Sequence, residues 1–250
     1  MVLLFYLIFS ILILQILAKT ISSNYDLISL FNILTQKEFF LISLLLIYLI
    51  YSILTKKNIF SNLFKITIIY SIFILFSIFF DELISIIFSI ILIRLYYLKK
   101  NLFLHNFVIL MASLGVGLFF GSTIKPTNAL ILAGIFAIYD FYAVYRSKLM
   151  VDMFNKFSKN NAIFAIILRS KLRPKNQFIM GSGDLIFPTL ITVSFNTYLP
   201  HLTGASITGS ILGYSFVFYL IKNQKSHNPV PALPPILFCI FTSLIFRLLF

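Results

Sequence analysis

The sequence predicts an all-α integral membrane protein of nine transmembrane helices, and three observations lead there. Sixty per cent of the 250 residues are hydrophobic and only 11% are charged. A soluble domain carries roughly 25% charged residues to keep its surface wet. Apolar stretches long enough to cross a hydrocarbon core of about 30 Å follow one another almost from end to end.

The nine spans fall near residues 2–18, 38–54, 63–80, 83–98, 103–124, 128–145, 177–199, 203–221 and 234–250. The first lacks the basic n-region and small-residue cleavage site of a secretory signal, so it is expected to remain as a mature helix. A formal net charge of +13 would suggest a nucleic-acid partner in a soluble protein. Here the basic residues sort by loop instead. Sixteen of the 20 Lys and Arg lie after even-numbered spans, and only Lys19, Lys37, Lys125 and Arg247 lie on the other side. The positive-inside rule then puts the N-terminus in the cytoplasm and the C-terminus outside, with the lipid bilayer rather than nucleic acid as the partner.

Cys239 is the single cysteine and reads as core filler, and His105, His201 and His227 share no ligand spacing. No metal and no cofactor is expected.

Composition divides the chain in two. The first glycine is Gly115 and the first proline Pro126, so all nine Gly and all eight Pro fall after residue 114. Residues 1–126, spans one to five, read as a scaffold, and residues 127–250, spans six to nine, as the working half. From span five onward small residues recur at helical spacing: Ser113, Gly117 and Gly121; Ala129, Ala133 and Ala137; Ala205, Gly209 and Gly213. Each stripe lets another helix come close. The one long loop, residues 146–176, carries eight basic residues against the single acid Asp152 and should lie on anionic headgroups. Its apolar segment 162–168 is expected to form a short interfacial helix.

Five of the seven acids fall in loops or at span ends; Asp140 and Asp184 sit inside apolar spans. A charge near the bilayer centre costs roughly 2.5–3.5 kcal/mol on insertion scales, which makes an intramembrane carboxylate a functional candidate. Asp140 lies six residues before Arg146, about 9 Å below the cytoplasmic end of its span at ~1.5 Å per residue. Asp184 lies seven residues after Gln177, where the next span enters from the same side. Two carboxylates at contact distance cannot both ionise, so such a pair holds one shared proton and offers an acid and a base together. The ionised member can activate a water, while the protonated member polarises a peptide carbonyl and then protonates the leaving amine. Which aspartate takes which part stays open. Ala133 and Ala137 leave room beside Asp140, Gly181 and Gly183 let the backbone come close to Asp184, and Pro188 removes the N–H that would bond the Asp184 carbonyl.

Tyr139-Asp140 in YDFYAVY, Gly181-Ser182-Gly183-Asp184 in GSGDLIFPT and Pro231-Ala232-Leu233 before the last span form an ordered trio. This resembles the presenilin and signal-peptide-peptidase family, which carries YD in the sixth of nine spans, GxGD in the seventh and PAL at the start of the ninth. GxGD alone is a weak signal; the trio in this order is specific. The resemblance is concentrated in residues 127–250, and the cytoplasmic N-terminus makes it presenilin-like. It implies a presenilin-like fold and an intramembrane aspartic endopeptidase. Asp140 and Asp184 would be catalytic, Tyr139, Gly181 and Gly183 would shape the site, and Pro231, Ala232 and Leu233 would bind substrate. The short loops resemble a stand-alone microbial homologue, so no obligate accessory subunits are expected. A site in the cytoplasmic third of the bilayer reaches only other membrane segments, so the expected substrates are transmembrane helices, remnant signal peptides included.

Other classes compete. No H-E-x-x-H or G-x-S-x-G motif supports a zinc or serine protease. A prepilin-peptidase-like GxGD protease would have a lysine soon after the aspartate, where Leu185 and Ile186 stand. A proton-coupled transporter or channel would use paired acids as a relay, but the two halves show no repeat.

Overall fold

Apolar runs of this length have one way to satisfy their backbone away from water, which is to close hydrogen bonds within helices. The computed structural model describes residues 2–25, 59–99, 101–146, 165–169, 177–223 and 230–249. Eight α-helices lie among them: α1 (Val2–Asn24), α2 (Ile59–Ser77), α3 (Glu82–Lys99), α4 (Leu102–Thr123), α5 (Pro126–Tyr145), α6 (Gly183–Tyr198), α7 (Thr203–Asn223) and α8 (Leu233–Leu249). They correspond to eight of the nine expected spans. The other, 38–54, lies outside the described residues, as does most of the basic loop. Three described helices, Leu102–Thr123, Pro126–Tyr145 and the stretch Pro200–Asn223, are long and apolar enough by themselves to cross a membrane.

Helix ends follow local chemistry. The Asn101 side chain accepts from the Phe103 amide at 3.1 Å to start α4. Pro126 occupies the first turn of α5, where its missing N–H costs nothing, and extended Lys125 precedes it. Pro200 closes α6 and opens a single 3-10 turn, Pro200–Leu202, before α7.

At the centre stands α6, packed against α1, α4, α5 and α7. Every residue from Pro188 to Asn196 is buried, as expected of a helix surrounded by others rather than by lipid. The small-residue stripes explain how neighbours come so near. A Cβ on Gly117 would lie 2.6 Å from Thr189 Cγ2, and one on Gly121 2.7 Å from the Leu190 carbonyl oxygen, so α4 rides directly on α6. Gly209 and Gly213 of α7 meet the α8 backbone in the same way, with Ile240 Cα and Ile236 Cα each 2.6 Å from the missing methyl. On α5, Ala129, Ala133 and Ala137 form the buried stripe, while Ile131, Ile135, Ile138 and Phe141 on the outer face are more than half exposed.

Two expectations are corrected here. Residues 165–168 do not form an interfacial helix: β1 (Ala165–Arg169) pairs antiparallel with β2 (Gln177–Gly181), with Ile167 opposite Ile179. The seventh span is therefore not helical from Gln177 onward; α6 begins at Gly183. Consecutive β-branched Ile166 and Ile167 favour a strand, and Gly181 and Gly183 disfavour helix over the segment that joins β2 to α6. The hairpin also has a partner on its other edge. The Asn106 carboxamide donates to the Ile167 carbonyl at 2.8 Å and accepts from the Ile167 amide at 2.9 Å, imitating a neighbouring strand. His105 Nε2 lies 2.9 Å from the Ala165 carbonyl oxygen, and its Nδ1 lies 3.0 Å from Tyr96 Oη.

Candidate active site

Asp140 is the one carboxylate on the buried stripe of α5, three residues after Ala137 and thus on the same face one turn on. It is 5% exposed. The non-helical segment before α8 closes over it. Leu233 N–H donates to Asp140 Oδ2 at 3.3 Å, and the Ala232 backbone interacts electrostatically with the same carboxylate. Pro231, Ala232 and Leu233 are all buried. The prolines explain why the Leu233 amide is free for a side chain: Pro231, Pro234 and Pro235 keep helical hydrogen bonding from starting until Ile236, whose amide bonds the Ala232 carbonyl. The sequence suggests that this segment offers its N–H groups to a substrate; that of Leu233 points instead at Asp140.

Asp184 is delivered differently. It is the second residue of α6, immediately after the strand, and so lies in the first helical turn rather than deep inside a helix. There it occupies the positive end of the helix dipole. It is 9% exposed. The Gly181 backbone interacts electrostatically with its carboxylate, and a Cβ on Gly181 would stand 3.4 Å from Asp184 Oδ2, so glycine here sets how closely β2 approaches the acid. Gly183 behaves otherwise: among the described residues nothing lies within 4 Å of its Cβ position, so it borders open space.

Helices α5 and α6 pack together, and the two aspartates interact electrostatically across that contact. Phe136 of α5 and Phe187 of α6 brace the same junction, with ring centroids 4.8 Å apart. The site is thus two carboxylates in an apolar bundle, Asp140 held by the Leu233 amide and Asp184 set beside Gly181, with glycine and alanine around them. Such a pair can bind a water between its oxygens and pass protons at a peptide carbonyl placed against it.

Of the residues singled out in the sequence, Asp140, Asp184, Gly181, Ala232 and Leu233 come together. Tyr139, next to Asp140 but turned about 100° around the helix, is 52% exposed on the outer face. Tyr214 was not foreseen. It is fully buried in α7, and its hydroxyl donates to the Asp184 carbonyl at 2.6 Å. The signal was Pro188, which leaves that carbonyl in need of a donor.

No protein-family model and no curated protein sequence matches the chain. Among solved structures it is similar to a presenilin family intramembrane aspartate protease in two crystal forms. In space group C222 the TM-score is 0.59 at 18% identity, covering 96% of this chain and 95% of that one. In space group P2 it is 0.57 at 20% identity, covering 98% and 96%. The fold of this chain, over nearly its whole length, is that of the presenilin-like membrane proteins.

Proposed function

We propose that the chain is an intramembrane aspartic endopeptidase of the GxGD type. It would hydrolyse peptide bonds within transmembrane segments of membrane proteins or remnant signal peptides. The observation that carries this reading is the buried pair Asp140 and Asp184, presented by adjacent helices and interacting across them. In this mechanism one carboxylate, ionised, takes a proton from the attacking water. The other, protonated, polarises the scissile carbonyl and then protonates the departing amine, so proton count and charge are restored after each turnover. Either aspartate can begin as the acid.

A substrate helix hides its carbonyls in its own hydrogen bonds and must unwind before attack. Backbone beside the pair is already outside helix, as strand at β2 on one side and without regular structure at residues 230–232 on the other, and a strand edge can stabilise an unwound segment by strand-like pairing. The distribution of Lys and Arg supports a cytoplasmic N-terminus and an external C-terminus, which would place the pair near the cytoplasmic face.

The test is reconstitution of the purified protein into proteoliposomes with a single-span peptide, with products read by mass spectrometry and proton flux followed in the same vesicles. A cut inside the apolar segment without flux supports the protease. Proton flux without cleavage across several peptides would replace it with a transporter.

A further inference from the structure

Pro188 follows Asp184 by four residues in α6. It has no amide hydrogen, so the Asp184 carbonyl loses its helical partner, and the proline ring crowds that carbonyl as well. A carbonyl in an apolar helix bundle needs another donor. Tyr214 supplies it, at 2.6 Å from a fully buried position in α7. The hydroxyl is held from outside α6, because the neighbouring Gly213 lets α8 lock against α7 at Ile236. The following carbonyl receives a side-chain donor too, with Thr189 Oγ1 2.7 Å from the Leu185 oxygen. Two successive carbonyls of this turn are therefore hydroxyl-bonded.

We infer that Tyr214 is a positioning residue for Asp184: its hydroxyl stands in for the amide that Pro188 lacks and holds the first turn of α6 at the angle that presents Asp184 to Asp140. Its kinetic consequence rests on the protease reading above, whereas its structural consequence does not. The inference makes the effect of the hydroxyl conditional on the proline. With Ala at position 188 the backbone amide can take the Asp184 carbonyl, and the tyrosine hydroxyl becomes redundant.

The experiment compares wild type, Tyr214→Phe, Pro188→Ala and the double variant in proteoliposomes with a single-span peptide, alongside hydrogen exchange at the amides of Leu185 to Phe187. Tyr214→Phe is expected to lower kcat about tenfold, with KM changed by less than about twofold, and to speed exchange about tenfold. In the Pro188→Ala background the same change should alter kcat and exchange by less than about twofold. An equal loss in both backgrounds would overturn the inference, since the hydroxyl would then act on the chemistry or on packing alone; so would no effect in either. If wild type cleaves nothing, the protease reading falls and the exchange cycle alone decides the role of Tyr214. If Tyr214→Phe does not fold, recovery of a folded double variant supports the inference and failure of both overturns it.

Discussion

The amide of Leu233 donates to Asp140 Oδ2 at 3.3 Å, tying the start of the last helix to a carboxylate that precedes it by 93 residues. A backbone donor to an ionised group contributes about 1.5–3 kcal/mol, and here it also fixes the rotamer of Asp140. Replacing Leu233 by Pro removes the N–H and is expected to lower proteolysis at least about tenfold. Leu233→Met keeps the donor and the apolar volume and should stay within about threefold of wild type. Peptide cleavage in proteoliposomes measures both. Equal losses would mean that the side chain at 233, not its amide, matters.

The α7–α8 contact makes a second prediction. A methyl on Gly213 would stand 2.6 Å from Ile236 Cα, and one on Gly209 2.8 Å from the Cys239 carbonyl oxygen. These are backbone atoms that cannot rotate away, so Gly213→Ala and Gly209→Ala should each cost about 1–3 kcal/mol. They should also weaken activity, because α8 carries the segment that holds Asp140. Gly134 has nothing within 4 Å of its Cβ position among the described residues. Gly134→Ala should stabilise α5 by up to about 1 kcal/mol. Thermal unfolding in detergent checks the opposite signs.

Asn106 grips both polar groups of Ile167. Asn106→Ala should speed exchange of the Ile167 amide about tenfold, the loss of one to two hydrogen bonds, and lower activity through the hairpin that leads to Asp184. Asn101→Ala removes an exposed helix cap, should cost about 1 kcal/mol, and should leave Ile167 unchanged. Exchange resolved at residues 165–169 separates the two.

Gln15 is fully buried in α1. Its Oε1 accepts from Thr192 Oγ1 at 2.6 Å, while its Nε2 has no partner among the described residues. Removing one partner of a buried pair costs more than replacing both by apolar groups. Thr192→Val should therefore destabilise by about 1–3 kcal/mol, whereas the double variant Gln15→Leu/Thr192→Val should be close to neutral. A double variant less stable than Thr192→Val in thermal unfolding would contradict this.

What was legible in the sequence was what composition and sparse polar residues dictate. Apolar runs gave the helices, the stripe Ala129, Ala133, Ala137 gave the buried face of α5, and Gly209 with Gly213 gave a close helix contact. Asp140 and Asp184 stood out because membrane interiors admit few carboxylates. The hairpin was not legible. Residues 165–169 and 177–181 are strands of only five residues with apolar centres, too short for periodicity to separate strand from helix, and Asn106 of a distant helix bonds the first of them. Tyr214 was hidden for a related reason: one tyrosine in an apolar helix looks like packing until a carbonyl without a partner is placed against its hydroxyl. Hydrogen bonds between segments far apart in the chain leave no local pattern.

The central claim is that Asp140 and Asp184 act as one catalytic pair, and isosteric substitution tests it most directly. Asp140→Asn and Asp184→Asn, purified and shown by thermal unfolding to be folded, are assayed beside wild type on a single-span peptide in proteoliposomes. The account predicts internal cleavage by wild type and a loss of at least about a thousandfold in each variant alone, because neither carboxylate can serve as both acid and base. A folded variant that keeps cleaving at more than about a tenth of the wild-type rate would contradict it.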